Sequence, residues 1–294
     1  MFLQLLANGL VAGSVIAIAA VGVSLVYEIL RIVNFAHGDY LTFGAFVGVA
    51  ANVRYGERML VATIAAIVAT AALALVLEFV LWRPMRRRGA GFMSLFITSI
   101  GLALLLRHLL FLVAGAEPRS YAIDPFKVYV VGSVRLGGSQ GVAIAVGAVA
   151  IVLVGLLLAR TALGRKMRAL ADDRSLASIS GVNVDRVVVY TWLLAGALAG
   201  LAGVLQGLVQ ASFTPNTGFQ LLLPVFAAVV LGGIGSAYGA LVGGLLLGVA
   251  MELSTWEALA GGVDPVYKPV VAFVLLIAVL LVRPQGLLGR ARLL

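Results

Sequence analysis

Long apolar runs alternate with short polar segments along this chain of 294 residues. A membrane-spanning helix needs about 20 mostly apolar residues, and several stretches meet that requirement. They cover residues about 5–27, 33–53, 59–82, 92–115, 141–160, 187–210 and 266–283. The pattern therefore predicts that each of these stretches crosses a membrane.

One further apolar stretch, about 218–254, is too long for a single upright spanning helix at a rise of about 1.5 Å per residue. Gly232, Gly233, Gly235 and Gly239 interrupt it, and glycine in a helix interior weakens the helix. We expect two segments that meet at a turn.

Most of the 21 Lys and Arg residues gather on one side when the predicted spans alternate in direction, including Arg290 and Arg292 at the end of the chain. Short cytoplasmic loops carry an excess of Lys and Arg, so we expect this side to face the cell interior. On the other side, basic residues are matched by acidic ones, and Lys127 and Asp124 are among them. A hairpin at 218–254 returns the cationic end to the interior, whereas a single crossing would not. The N-terminus then starts outside, lacks the basic region of a cleaved signal peptide, and is expected to begin the first span.

Composition narrows the class of protein further. Hydrophobic residues make up 62% of the chain, charged residues 11%, and the mean hydropathy is +1.12. These values exclude a cytosolic enzyme domain and a disordered tail, and the absence of cysteine excludes a disulfide scaffold. The net charge of +9 is spread over span ends, which indicates an anionic membrane surface as partner and not nucleic acid. We predict an all-α integral membrane protein, a polytopic bundle of about 8 to 9 spanning or half-spanning helices with broken segments.

The predicted bundle is a single domain over 1–294, with an inside loop at about 161–186 and an outside loop at about 116–140. No glycine-rich nucleotide loop of the form GxxxxGK[ST] is present. Two histidines and no clustered carboxylates argue against a metal site or acid-base catalysis. We expect no enzyme activity and no cofactor.

Polar residues open the second span, where a lipid-facing helix would have Leu or Val. Asn34, His37 and Asp39 lie there beside Phe35, and an Asp near a helix centre costs about 2.5–3.5 kcal/mol on insertion. In one interpretation the segment is a capped helix start at the inner interface, with Asn34 or Asp39 accepting from free backbone N–H groups. In the other it is a broken helix that lines a wet pathway.

Three further charged or ionisable side chains lie within predicted spans. For Arg107, beside His108, the simpler interpretation is that its long side chain snorkels to the outer headgroups. The alternative is a gate or a tie between helices. Glu78 is expected to pair with an arginine of the run 83–88.

Small residues recur four apart, a spacing that lets helix backbones approach closely in membranes. The pairs are Gly9 and Gly13, Gly44 and Gly48, Gly196 and Gly200, Gly203 and Gly207, Gly239 and Gly243, and Gly244 and Gly248. We expect a tightly packed bundle.

The inside loop contains a helix-length run of good helix formers that Gly181 can terminate. Asp185 then fits the N-cap of the next span. The loop could be a docking helix or an ordinary solvated loop, and the residues alone leave both open.

The chain resembles the branched-chain amino-acid permeases of ATP-binding-cassette importers, the LivH type, over nearly its whole length. The residues that carry the resemblance are VNFAHG at 33–38, Glu78 with Arg83-Pro84, Gly164-Arg165 through Arg168-Ala169 to Ala177 and Gly181-Val182-Asn183, LGGIGS at 231–236, and RPQGLLG at 283–289.

The resemblance implies a subunit that forms the translocation pathway for branched-chain amino acids in the bacterial cytoplasmic membrane. Its implied partners are a second permease, related but different, two ATPase subunits and an external substrate-binding protein. Pathway candidates are Asn34, Phe35, His37, Asp39, Gly232, Gly233 and Gly235, and Phe226 and Val230 could add apolar walls. The implied ATPase-coupling loop contains Gly164, Arg165, Arg168, Ala169, Arg174, Ala177 and Gly181.

One departure concerns the importer pattern EAAxxxG, in which Ser175 stands in place of Glu. The basic face of Arg165, Arg168 and Arg174 could take over the docking role of that Glu. Alternative functions are a permease for urea, amides or other amino acids, or a secondary transporter that works without ATP.

Overall fold

The computed structural model describes residues 1–123, 128–131, 134–257 and 261–289. Asp124, Lys127, Arg290 and Arg292, which entered the charge argument, lie outside these ranges. The described elements are α1 (Phe2–Leu30), α2 (His37–Val49), α3 (Met59–Leu77), α4 (Arg83–Arg87), α5 (Phe92–Ala114), β1 (Val128–Val131), β2 (Val134–Gly137), α6 (Gly138–Arg160), α7 (Ala162–Asp172), α8 (Arg174–Ile179), α9 (Val184–Gln210), α10 (Thr217–Gly232), α11 (Ala237–Leu253) and α12 (Lys268–Val282).

Two helices are extended by wider turns. A π-helical turn, Ala50–Arg54, continues α2, and a second, Glu78–Trp82, joins α3 to α4. A short 3-10 turn, Pro265–Tyr267, leads into α12.

Within the described ranges, six helices are long and apolar enough to cross a membrane, and α10 and α11 are shorter apolar helices. With α2 they make up the bundle of about 8 to 9 segments that the hydropathy predicts. The first span, α1, lies at the centre of the bundle, with 89% of its most apolar window buried. It packs along α11, α9 and α10, whereas α5 and α12 expose most of their surface.

The apolar stretch 218–254 folds as the predicted hairpin, because α10 ends at Gly232 and α11 begins at Ala237. Gly233 and Gly235 adopt left-handed φ values of 109° and 82°, which a residue without a side chain reaches at little cost. The Ser236 hydroxyl then caps α11 by accepting from the Gly239 N–H at 3.0 Å.

Glycines permit the close helix contacts that their spacing predicts. A Cβ on Gly203 would lie 1.9 Å from the Leu41 carbonyl oxygen of α2, and a Cβ on Gly248 would lie 2.3 Å from the Gly13 Cα of α1. Gly44 faces the Gly200 Cα in the same way, at 2.7 Å. The bundle is therefore held together by backbone-to-backbone packing.

The inside loop differs from the predicted single helix. The run divides into α7 and α8 at Asp173. The Asp173 side chain accepts from the N–H groups of Ser175 and Leu176 and so forms the N-cap of α8. The predicted N-cap of the next span, Asp185, is also wrong. Asn183 caps α9 by accepting from the Arg186 N–H at 3.0 Å, and Asp185 pairs with Arg83.

Candidate functional site

The polar segment that begins the second span is a break in the helical chain. At the end of α1, Arg31 adopts a left-handed φ of 56°, and residues 31–36 are non-helical until α2 begins at His37. The His37 ring packs against Gly22 of α1, which lies eight residues, about 12 Å, before the end of that helix. The break therefore carries the chain back into the bundle, and α2 begins about 12 Å back along α1 from the end of that helix.

Neither Asn34 nor Asp39 caps α2 as predicted, because the N-cap position is Ala36 and no side chain accepts from the N–H groups of the first turn. The Asn34 Oδ1 accepts from the backbone N–H of Ala36 at 3.1 Å, just ahead of the first helical turn. The Asp39 carboxylate is fully buried and pairs with Arg107 of α5. The Arg107 Nε lies 3.0 Å from Asp39 Oδ1, and its Nη2 lies 3.3 Å from Oδ2.

This geometry decides between the two interpretations of Arg107. Its side chain is 10% exposed, so snorkelling to the outer headgroups is wrong and the tie between helices is correct. The Phe219 ring of α10 lies over the guanidinium, with its centroid 4.1 Å from the Arg107 Cζ. Sequence reasoning missed Phe219, although its spacing of seven residues from Phe226 places both rings on one face of α10.

Phe35 lies at the centre of an aromatic cluster between three helices. Its ring centroid is 5.2 Å from that of Phe96 on α5 and 4.9 Å from that of Phe226 on α10. The Phe35 backbone N–H donates to the Ser99 hydroxyl of α5 at 3.3 Å. Phe35 and Phe226 thus meet, as the predicted apolar wall requires.

The first turns of α2 and α10 meet inside the bundle. A Cβ on Gly218 would lie 1.9 Å from the Gly38 carbonyl oxygen. The Gly218 N–H donates to the Thr42 hydroxyl at 3.0 Å, and that hydroxyl donates to the Gly38 carbonyl at 3.2 Å. The beginnings of the two helices are therefore fixed to each other by direct backbone contact.

The second predicted break, at Gly232, Gly233 and Gly235, is at the opposite end of α10, about 20 Å from Gly218. The segment 31–39 runs alongside α10, so Gly38 meets Gly218 at one end of the helix and Arg31 approaches Gly235 at the other. Val230, proposed as a wall beside Phe226, lines a cleft near this second break.

The closing segment RPQGLLG docks on this second break. The Leu287 and Leu288 N–H groups donate to the carbonyls of Leu231 and Gly232 at 2.8 and 2.9 Å, which are left free where α10 ends. A Cβ on Gly233 would meet the Gly289 N at 2.5 Å. Two motifs 50 residues apart therefore form one structural unit.

A cleft of about 720 Å³ lies beside this unit. The end of α1, α7, the α10–α11 turn and the closing segment surround it, with Arg31, Arg168 and Gln285 among its walls. The Arg31 Nη2 donates to the Ala171 carbonyl of α7 at 3.2 Å, so the first break, the inside loop and the hairpin turn share one side of the bundle.

The first helix of the inside loop, α7, is seated on the end of α6. Met167 and Leu170 are buried, and a Cβ on Gly164 would lie 2.2 Å from the Leu158 carbonyl oxygen. Arg168 donates to that same carbonyl, so of the predicted basic face only Arg165 remains fully exposed on this helix, beside Ala169.

The second helix, α8, presents apolar side chains outward. Leu176 is 62% exposed and Ile179 is 85% exposed, next to exposed Arg174, whereas Ala177 is buried. Gly181 ends the helix with a left-handed φ of 84°. Sequence reasoning missed this apolar face, which two hydrophobic residues three apart in a polar loop indicate.

The helix cap of α8 carries the one shifted carboxyl of this loop. The Ser175 hydroxyl and the Leu176 N–H donate to the exposed Asp173 carboxylate and hold its pKa below the ordinary value.

Glu78 pairs with Arg86 as predicted. Both guanidinium Nη atoms contact the buried Glu78 carboxylate, one at 2.9 Å. Nearby, the Trp82 and Trp192 rings stack with centroids 5.9 Å apart and join the end of α3 to α9.

Comparison with known proteins gives consistent matches over the whole chain. Residues 5–280 match the family described as branched-chain amino acid transport system / permease component. The high-affinity branched-chain amino acid transport system permease protein LivH of Salmonella typhimurium is 36% identical, over 98% of this chain and 96% of its own. BraD of Pseudomonas aeruginosa, named for the same transport system, is also 36% identical over the same shares.

More distant matches include a further permease and a solved structure. The ribose import permease protein RbsC of Escherichia coli is 31% identical over 91% of this chain and 82% of its own. The solved structure of PsaBC from Streptococcus pneumoniae in complex with Fab is 17% identical, with a TM-score of 0.50, over 97% of this chain and 93% of that chain. That structure supports the fold alone.

Proposed function

The chain belongs to the family of branched-chain amino-acid transport permeases, and we propose that it is the membrane-spanning subunit of an ATP-driven importer of branched-chain amino acids. The observation that carries the proposal is the 36% identity over 98% of the chain to permeases named for that transport. The matched region covers 98% of this chain and 96% of each of these two relatives. Permeases for urea or amides and ATP-independent transporters are not favoured by these matches.

In this proposal the whole chain is one permease domain of the bacterial cytoplasmic membrane, with the N-terminus outside and the C-terminus in the cytoplasm. The positive-inside rule supports this orientation. A second, related permease completes the pathway, an external binding protein delivers the amino acid, and two ATPase subunits hydrolyse ATP.

We assign the translocation pathway to the first break and its neighbours. Asn34, Phe35, His37 and Asp39 lie where α2 begins within the membrane, and non-helical backbone at such depth is tolerated only inside protein or beside a water-filled cavity. Gly232, Gly233 and Gly235 form the inner end of the same route, where the hairpin turn closes against the segment 283–289. The aromatic cluster around Phe35 suits an aliphatic side chain.

We assign the contact with the ATPase subunits to α7 and α8. Gly164, Arg168 and Ala177 seat the two helices on the bundle, and Gly181 ends them. Arg165, Ala169 and Arg174 face outward beside the apolar pair of α8. Exposed apolar residues rimmed by charge are typical of a protein interface.

Reconstitution tests the function directly. The permease with its partner subunits in liposomes, supplied with binding protein, should accumulate labelled leucine only when ATP is present. Accumulation driven by an ion gradient without ATP would contradict the proposal, as would uptake of urea in preference to leucine.

A second experiment tests the docking helix. Leu176→Asp with Ile179→Asp should release the ATPase subunits during purification and abolish ATP-driven uptake, because two charges then replace the apolar contact. Val266→Asp with Tyr267→Asp is the matched control, because both residues are exposed and lie ahead of α12, at the end of that helix opposite to the closing segment. It should retain the ATPase subunits. Intact, coupled complexes from the double variant would contradict the assignment.

A further inference from the structure

The ion pair between α2 and α5 is buried in the interior of the helix bundle. Arg107 lies seven residues, about 10 Å, before the outer end of α5. Asp39 lies in the first turn of α2, which begins inside the bundle. Both charges are buried within the bundle, so each depends on the other for neutralisation.

Stability does not account for this pair. Well-packed apolar residues of similar volume often match or exceed a buried ion pair, because burial removes the hydration of both charges. The buried stripe of α5 is otherwise formed by small and apolar residues, Leu95, Ser99, Leu102 and Ala103. A leucine at position 107 would continue that stripe at no desolvation cost.

The two charges of the pair are complementary to the two charges of a free amino acid. The substrate of the proposed function carries a carboxylate and an ammonium group on one carbon, and the pair offers a planar guanidinium fork and a carboxylate at 3.0 and 3.3 Å. Arg forks bind carboxylates through two parallel hydrogen bonds. A substrate carboxylate can therefore take the position of Asp39 on the fork while its ammonium group binds Asp39.

The aromatic residues around the pair extend this complementarity. Phe219 lies over the guanidinium and is 43% exposed, so rotation of one ring uncovers Arg107. Two turns further along α10, Phe226 contacts Phe35. The charged subsite and the apolar cluster thus lie in line along one face of α10, about 10 Å apart. This is longer than one aliphatic amino acid can span, so a substrate would contact them in succession.

We propose that Asp39 and Arg107 form a transient subsite for the ammonium and carboxylate groups of the transported amino acid, with the Phe219 ring covering the Arg107 guanidinium. This inference rests on the proposed function. In the absence of substrate the two side chains neutralise each other. The substrate exchanges with each partner in turn, and no charge is left unpaired in the membrane.

The test uses the complete transporter in liposomes with binding protein and ATP, and measures assembly, ATPase activity and leucine uptake. The variant Asp39→Leu with Arg107→Met removes both charges and leaves an apolar helix contact. Uptake should fall by about ten- to a hundredfold, the factor expected for the loss of one charge-assisted contact, while assembly and ATP hydrolysis remain. Uptake at the wild-type rate would overturn the proposal.

The control is Glu78→Leu with Arg86→Met, which removes the other buried ion pair and should leave uptake per assembled complex unchanged. An equal loss in the control would overturn the proposal, since it would show a general effect of removing buried charge. If the Asp39 and Arg107 double variant fails to assemble, Arg107→Lys keeps the positive charge and removes the fork. It should lower uptake severalfold at an unchanged melting temperature, and unchanged uptake would again overturn the proposal.

Failure of the proposed function is distinguishable from failure of this subsite. Wild-type complexes that do not take up leucine with ATP would contradict the function. Wild-type uptake that persists in the charge-free variant contradicts only the subsite.

Discussion

Replacing Gly218 with alanine tests whether the beginnings of α2 and α10 are in direct contact. The added Cβ would lie 1.9 Å from the Gly38 carbonyl oxygen and 2.3 Å from the Thr42 hydroxyl. Real Cβ atoms essentially never approach closer than 3.0 Å, so the two helices must separate by about 1 Å. The first obstacle is backbone, which cannot rotate away as a side chain can.

The cost of this separation is that of overpacking a close-packed interior, about 1–3 kcal/mol. The Gly218 N–H also loses its bond to Thr42, which adds about 1 kcal/mol. We therefore expect Gly218→Ala to lower the melting temperature in detergent by several degrees, since each kcal/mol corresponds to about 2–4 °C in domains of 150–250 residues.

The matched control is Gly101→Ala on α5, where a Cβ meets nothing within 4 Å. Alanine favours a helix interior over glycine by about 0.5–1 kcal/mol, so this variant should be unchanged or slightly more stable. Scanning fluorimetry of both purified variants gives the comparison, and leucine uptake shows whether the separated helices still transport. Equal melting temperatures for Gly218→Ala and wild type would refute the contact between α2 and α10.

Three further outcomes follow from particular contacts. Glu78→Gln should lower stability by about 3 kcal/mol because Arg86 loses its partner, whereas Glu78→Leu with Arg86→Met should be close to wild type; equal melting temperatures for the two variants would contradict this. Asn183→Ala should lower the free energy of unfolding by about 1 kcal/mol through loss of the α9 cap, and an unchanged thermal transition would contradict a stabilising role for that cap. The pKa of Asp173 is lowered by the Ser175 hydroxyl, so its cap on α8 is complete above the ordinary carboxyl pKa of about 3.9 and is lost as pH falls toward the folded value. A spin label on α8 should become mobile in acid, and Asp173→Asn should remove this pH dependence. If the Asp173→Asn variant responds to pH as the wild type does, the role of Asp173 as the cap is contradicted.

The sequence by itself determined the architecture of the bundle. Each spanning helix must satisfy its own backbone hydrogen bonds and present apolar side chains to lipid. The local hydropathy therefore predicts where in the chain each helix lies. The hairpin at 218–254 follows from length, glycine and the charge of the chain end. The pairing of Glu78 with an arginine of the run 83–88 is equally local, because both lie on one continuous helical segment, and the structure selects Arg86 from that run.

The tertiary structure alone decided what the polar residues contact. Asp39 and Arg107 are 68 residues apart, and nothing in either span specifies the depth at which α2 begins. That depth depends on the packing of His37 against Gly22 and of Gly38 against Gly218. The docking of Leu287 on Leu231 likewise joins distant segments. Local hydropathy fixes which segments enter the membrane, whereas close contact between helices fixes their rotation and depth, and therefore which charges meet.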